Sequence, residues 1–227
     1  LHSHVTVMGN TKMGRGSEAF PMATLGGPAQ IKGLDPDVSC RTVIGENCTF
    51  RECVTVHGAN PKNDQPTTIG DDCYMMAYSH FAHDCQVGKS VVVANSAIVA
   101  GECVVGDNVW FGGASAVHQK TWIGDNAFVG GGAILVGDVP PFSSVIGNHA
   151  YIAGLNVVGL KRRGFSKTEL KALRSAYKFL FEGEGTFKDR VAELQAQSDH
   201  GVHVGQLVEF ITNERSGRAL CQYKDAS

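Results

Sequence analysis

A chain of 227 residues, 43% hydrophobic with a net charge of -2, is long enough for one large domain or for one with a small appendage, and has the composition of a soluble globular protein. That charge gives no reason to expect nucleic acid, no apolar run approaches the roughly 18 residues that span a bilayer, and the amino-terminal LHSHVTVMGN lacks a signal-peptide core. The seven cysteines are odd in number and include no CxxC pair, which argues against a disulfide framework and a cysteine zinc site and points to reduced thiols in the cytoplasm.

The predicted elements follow a period of six. Leu1, Val7, Met13, Ala19, Leu25 and Ile31 share one phase, and Val38, Ile44, Phe50 and Val56 resume it after a break. From Ile69 an aliphatic, Met or Phe residue returns at Met75, Phe81, Val87, Val93, Val99, Val105, Phe111, Val117, Ile123, Val129 and Leu135. The fourth residue after each is small or β-branched, from Cys73, Ser79 and Cys85 on to Val139. Neither a 3.6-residue helix nor an alternating strand produces this pattern. It is the hexapeptide signature of a parallel β-helix, a β-solenoid in which three hexads, or 18 residues, complete one coil.

Two breaks interrupt the hexads, Ile31 to Ile44 and Val56 to Ile69, each of 13 residues where one step needs six. Each is expected to hold seven extra residues, around GLDPDVS and ANPKNDQP, whose Gly, Pro, Asp and Asn content suits a loop. Both loops are expected to leave the same edge on successive coils. The β-helix is assigned to residues 1–150 with excursions at 32–43 and 57–68, and residues 151–227 to a connecting segment and a small α-helical domain. Cys48, Cys73, Cys85 and Cys103 fall on inward positions and read as small core hydrophobes, Cys85 stacked on Cys103.

Coils lie about 4.8 Å apart, so residues 18 apart are neighbours. That register sets His83 beside Gly101 and, one coil further, Gln119. His118 shares the adjoining column with Ala100, Ala82, His57 and Lys32, and His80 precedes the same edge. A single surface histidine is usually only solvated, and Gly101 could serve the turn alone; convergence on one loop-flanked edge favours function. The chemistry suggested is acyl transfer. His83 serves as general base and Asp84 orients it, a pairing typically worth ~10²–10⁴-fold. The unblocked Gly101 amide can meet a developing oxyanion, typically worth about 10²–10³-fold. No serine stands in that column, so direct attack by an activated acceptor hydroxyl is the simpler mechanism. The rival is zinc on histidines of neighbouring coils, as in the β-helical carbonic anhydrases, although HFAHD lacks the HxxxxH spacing associated with them.

After DVPPFS the hexads stop. Ser166 to Glu169 (SKTE) is a capping box, and the helix it opens has an apolar stripe at Leu170, Leu173, Tyr177, Leu180 and Phe181 and a basic one at Lys167, Lys171, Arg174 and Lys178. Thr186 with Asp189 is expected to start a second helix, and residues 203–215 a third. Seven basic residues face one acid, Glu169, between Lys161 and Lys178. Such runs are often solvated faces, but this local excess suits the docking of an anionic partner.

In order along the chain, VTVHG, SHFAHDCQVG, AGECVVGDN, GGASAVHQ, DVPPF, GNHA and GLNVVGLKRRGFS resemble the acyl-carrier-protein-dependent UDP-N-acetylglucosamine O-acyltransferases, the first committed enzymes of lipid A synthesis. The resemblance implies a left-handed β-helix, an exception to the usual right-handed crossover, assembled as a homotrimer with clefts between subunits. It implies His83 as base, Asp84 as its partner and Gly101 as oxyanion donor. His80, His118 and Gln119 would line the sugar and acyl site. Asn156, Arg162 and Arg163 would meet the nucleotide and its phosphates. Gly131 matches the residue that limits acyl length, and a glycine there favours a long 3-hydroxyacyl group. The basic helix would face acyl carrier protein.

There are departures. The family's QDLKY loop reads QIKGL here, retaining Lys32 without the aspartate that contacts the sugar; Glu102 stands where histidine is frequent, and Val158 replaces a nucleotide-side acid. The family also has about two more coils before Leu1, whose absence would leave an open solenoid end. Alternatives within the fold are the sibling N-acyltransferase, which normally carries a uridine-binding domain before the helix, and a coenzyme A-dependent small-molecule acetyltransferase. A non-catalytic scaffold is the alternative outside enzymes.

Overall fold

The computed structural model describes residues 1–35, 38–197, 201–213 and 217–223. From the first strand the chain winds into a three-faced prism. Face I stacks Thr6–Val7, Thr24–Gly27, Thr55–His57, His80–Phe81, Ile98–Val99, Ala116–Val117 and Ile134–Leu135. Face II stacks Asn10–Met13, Arg41–Ile44, Thr67–Ile69, Gln86–Val87, Val104–Val105 and Trp122–Ile123. Face III holds eight strands, from Glu18–Ala19 to Tyr151–Leu155. Pairing is parallel with an 18-residue offset in the uninterrupted coils, as in Phe81 to Val99 and Val99 to Val117.

Strands this short need a sharp corner every six residues. Asp72, Tyr78, Asp84, Ser90, Ser96, Glu102, Asn108, Ala114, Lys120 and Asn126 supply it, all with φ between 53° and 63°. L-residues rarely occupy this left-handed region; here the ladder hydrogen bonds on either side hold each corner in it. Asp84 shares its conformation with every other corner, so its positive φ is a property of the coil and no mark of the site.

The hexad phase is the core. The twelve residues from Ile69 to Leu135 are at most 5% exposed, and their small partners from Cys73 to Val139 at most 1%. Large and small side chains alternate at successive corners, which lets a narrow prism fill without voids. All seven cysteines are unpaired, and Cys85 and Cys103, both fully buried, donate through Sγ to the Ala100 and His118 carbonyls, each at 3.2 Å.

The first excursion differs from expectation. Leu25 pairs with Val56, 31 positions on, where an uninterrupted coil spans 18, so it adds 13 residues rather than seven. It occupies residues 28–40, between Gly27 and Arg41. Ile31 and Val38 therefore lie in the loop, half-buried, and not in the core; their hexad phase is accidental, because a 13-residue insertion shifts the phase by one. The second excursion occupies residues 58–66, with His57 and Thr67 in strands, and Val56 pairs with Phe81, 25 positions on. Both loops leave face I at the same edge.

The sheet continues past residue 150. Ser143–Ile146 adds to face III and turns back in the antiparallel strand Tyr151–Leu155. Among the described residues four helices follow: α1 (Val157–Arg162), α2 (Lys167–Glu182), α3 (Phe187–Ala196) and α4 (Gly201–Thr212). The Ser166–Glu169 capping box and the Thr186 cap both form. On α2, Leu170, Leu173, Tyr177 and Leu180 are buried, while Lys167, Lys171, Arg174 and Lys178 are exposed. The Tyr177 hydroxyl donates to the Pro141 carbonyl, fastening α2 to the last coil. Helix α1 was not expected, since its Val and Gly content is poor in helix formers; the Asn156 cap holds it. Residues 217–223 return to the prism, where the Cys221 N–H donates to the Asp138 carbonyl at 2.8 Å. Among the described residues no helix is long and apolar enough to cross a membrane.

Candidate active site

Between faces I and II the chain turns at residues 82–85, 100–103 and 118–121, the edge from which both excursions leave. The three corners lie directly over one another: the Glu102 N–H donates to the His83 carbonyl and the Lys120 N–H to the Gly101 carbonyl, each at 3.0 Å. Outward at this corner stand His83, Gly101 and Gln119.

The His83 imidazole lies on Gly101. A Cβ built at residue 101 would stand 2.8 Å from both Nε2 and Cε1 of the ring, so only glycine lets the ring rest there. Among the described residues the Gly101 N–H has no acceptor. A base and an open amide donor therefore share one rung of the coil.

Asp84 fixes the ring from the other side. Its Oδ2 is 2.6 Å from His83 Nδ1, and the two side chains are 7% and 19% exposed. The other oxygen, Oδ1, accepts from the Asn60 N–H at 3.0 Å and from Asn63 Nδ2 at 2.8 Å. The Asp84 N–H donates to Thr67 Oγ1 at 2.8 Å. With Oδ1 taken up by these donors, Oδ2 faces the ring as a hydrogen-bond acceptor and places the imidazole proton on Nδ1. The basic lone pair is then left on Nε2, over Gly101.

The remaining histidines divide. His57 and His80 meet edge to face, with ring centroids 5.1 Å apart, and His80 Nδ1 is 2.7 Å from Thr55 Oγ1. Burial, then the neighbouring His57 and His83, pushes His80 down to about 4; burial and then His83 lower His57 as well. Both are neutral near pH 7, and among the described residues the buried His57 Nδ1 has no hydrogen-bond partner. His118 is exposed and lies 3.5 Å from Arg218 Nη2 through Nε2. Arg218 also donates to the Gln119 carbonyl at 2.8 Å.

Lys32 is not in this column. Gly27 pairs with His57, and Lys32 is exposed within the first excursion, for the reason given above: the longer insertion moves the register. The QIKGL segment belongs to the same loop. Glu102 is an exposed corner residue, 3.5 Å from Lys120 Nζ, and Val158 is 62% exposed.

The other expected site residues lie on different edges of the same chain. Gly131 is on the corner after Phe128–Val129, between faces III and I, with only Gly113 backbone near the space a side chain would fill. Asn156 and Arg163 attach to the edge between faces II and III. The Asn156 side chain accepts from the Gly159 N–H and donates to the Asn126 carbonyl, each at 3.0 Å; Arg163 holds Asn108 through its side-chain and main-chain oxygens. Arg162 is exposed.

Sequence reasoning missed Asn60, Asn63, Thr67 and Arg218. The Asn content of ANPKNDQP signalled a loop but not its return onto Asp84, and Arg218 stands 100 positions from His118 with no periodic signal to link them. Among the described residues no three His, Cys, Asp or Glu side chains are arranged to hold a metal ion.

Known proteins resemble this chain along most of its length. A family described as UDP N-acetylglucosamine O-acyltransferase, domain 2, matches residues 138–221, and the bacterial transferase hexapeptide repeat matches residues 66–101. The acyl-[acyl-carrier-protein]–UDP-N-acetylglucosamine O-acyltransferase of Caulobacter vibrioides is 49% identical over 97% of this chain and 83% of its own. That of Azorhizobium caulinodans is 48% identical over 97% of this chain and 81% of its own. The solved UDP-N-acetylglucosamine acyltransferase of Francisella novicida superposes with a TM-score of 0.92 at 28% identity, covering 98% of this chain and 81% of that one. The prism is thus a left-handed parallel β-helix, and the chain belongs to the acyl-[acyl-carrier-protein]–UDP-N-acetylglucosamine O-acyltransferase family.

Proposed function

We propose that this enzyme moves a long 3-hydroxyacyl group from acyl carrier protein to the 3-hydroxyl of UDP-N-acetylglucosamine, the first step of lipid A biosynthesis. The observation that carries the mechanism is the His83 ring, bonded to Asp84 through Nδ1 and resting on Gly101. Nε2 takes the proton of the sugar hydroxyl as its oxygen attacks the thioester carbonyl. The new oxyanion accepts from the Gly101 N–H, a donor in place before the charge appears. Collapse breaks the carbon–sulfur bond, and the imidazolium returns its proton to the carrier thiolate. The imidazolium is stabilised meanwhile by the Asp84 carboxylate. The sugar would lie against His57 and His80, whose neutral rings suit hydroxyl and amide groups, with His118 and Gln119 further along.

We take the working form to be a homotrimer. Support comes from the division of the site: His83, Gly131 and the Arg162–Arg163 pair lie on different edges of one chain, so one copy cannot bring all of them to one substrate. Outward apolar residues such as Ile98, 49% exposed, and Trp110, 39% exposed, are surface that a neighbouring copy would cover. Gly131 leaves room for a long chain, and Arg162 and Arg163 offer charge for the diphosphate, with Asn156 holding their helix in place. The exposed basic stripe of α2 suits the acidic carrier; reversing Lys171 and Arg174 to Glu should raise its KM without changing the KM for the sugar nucleotide. Seven unpaired cysteines fit a reducing compartment such as the cytoplasm.

The test is transfer measured by mass spectrometry, with UDP-N-acetylglucosamine and a series of acyl carrier proteins. His83→Ala should lose about 10²–10⁴-fold in kcat while keeping its melting temperature. Wild-type transfer by that variant would end the reading.

A further inference from the structure

We infer that Asn63, on the second excursion, is a positioning residue that sets the base through Asp84; the inference rests on His83 acting as the general base. The 58–66 loop folds back so that two donors of different kinds converge on one atom. The Asn60 main-chain N–H and the Asn63 side-chain amide both reach Asp84 Oδ1, at 3.0 and 2.8 Å. Oδ2 is left to His83 at 2.6 Å. With its two oxygens held by opposite neighbours, the carboxylate cannot rotate about its own axis.

The loop is itself tied down where it matters. Arg41, at the start of a face II strand, donates through Nη2 to the Asn63 carbonyl at 2.6 Å. The Asn63 N–H donates to the Asn60 carbonyl at 2.9 Å, and the Asn60 side chain accepts the Lys62 N–H at 3.1 Å. Thr67, the first residue after the loop, holds the Asp84 N–H. A chain of contacts therefore runs from Arg41 through Asn63 and Asp84 to His83, across two coils. The excursion is more than a wall of the cleft. Of its contacts to Asp84, only the Asn63 amide comes from a side chain, and so only that one can be removed without altering the backbone.

Removing it leaves Asp84 with one donor on Oδ1 and frees the carboxylate to swing away from Nδ1. Asn63→Ala should lower kcat about fivefold to tenfold, the scale of a single hydrogen bond. The KM for UDP-N-acetylglucosamine and the melting temperature should stay near wild type. Asn63→Asp sets a second carboxylate against the first, repulsive when ionised and a donor when protonated, so its rate relative to Asn63→Ala should rise as pH falls. In a His83→Ala background Asn63→Ala should cost nothing further. An unchanged kcat in Asn63→Ala, or the same loss with and without His83, overturns the role of Asn63. Full transfer by His83→Ala instead overturns the reading beneath it, so the two failures are told apart.

Discussion

Two edges of this prism are built from the same repeat and end in opposite states. At the edge between faces II and III, the corner N–H of Glu46 is accepted by Asp71 Oδ1, that of Lys89 by Asp107 Oδ1 and that of Asp107 by Asp125 Oδ1, each at 2.8 or 2.9 Å. Each aspartate lies one coil further on. At the edge between faces I and II, the residue in that position opposite His83 is Gly101, which has no side chain to reach back, and its own N–H is left open. The neighbouring aspartate, Asp84, is engaged by a loop and by His83. A β-helix corner presents an outward donor on every coil as a by-product of its turn. One edge spends these donors on a carboxylate ladder that holds the coils together, and the other keeps one for a substrate.

This contrast can be broken most visibly at glycine. At Gly101→Ala the three nearest atoms to the new Cβ all belong to the His83 ring, which can swing aside, so its effect should fall on catalysis. Gly88→Ala meets Asp107 Oδ1 at 2.4 Å and the Gly106 backbone at 2.8 Å, which cannot. It should lose about 1–3 kcal/mol in urea unfolding, with the rate per folded molecule unchanged.

A titration sharpens the same contrast. His80 is held at about 4 against its ordinary 6.5, so the unfolded chain takes up a proton before the folded one does. Stability should therefore fall as pH drops from 6.5 towards 4, by roughly 2 kcal/mol, less than the full shift implies because the ring is partly exposed. His80→Gln should flatten that limb of the stability curve. The smallest effect belongs to the ladder: Asp107→Ala leaves the Lys89 N–H to water and should cost about 1 kcal/mol, without changing transfer.

The fold was legible because its period is short and strict. Each hexad repeats one decision, a large residue inward and a small one four positions later, and the twelve hits from Ile69 to Leu135 leave one register open. Through that register, residues 18 apart became neighbours, and His83 could be set beside Gly101 from spacing alone. The same logic failed at Lys32, because a loop carries no period and its length cannot be told from a residue that resumes the phase by chance, as Ile31 does. Asn63 and Arg218 were invisible for a related reason. Each reaches the site from irregular backbone, where contact depends on how a segment folds back. Gly131 and the arginines beyond Asn156 came from family resemblance, and spacing within one chain does not bring them to His83.

The most direct measurement is single-turnover acyl transfer by Gly101→Ala, with Gly88→Ala as its control. Alanine keeps the amide N–H but displaces His83 from its rung, so Gly101→Ala should transfer about 10²–10⁴-fold more slowly than wild type while unfolding at the same urea concentration, and folded Gly88→Ala should transfer at the wild-type rate. If Gly101→Ala kept the wild-type rate, a ring resting on an open amide would not be what performs the reaction.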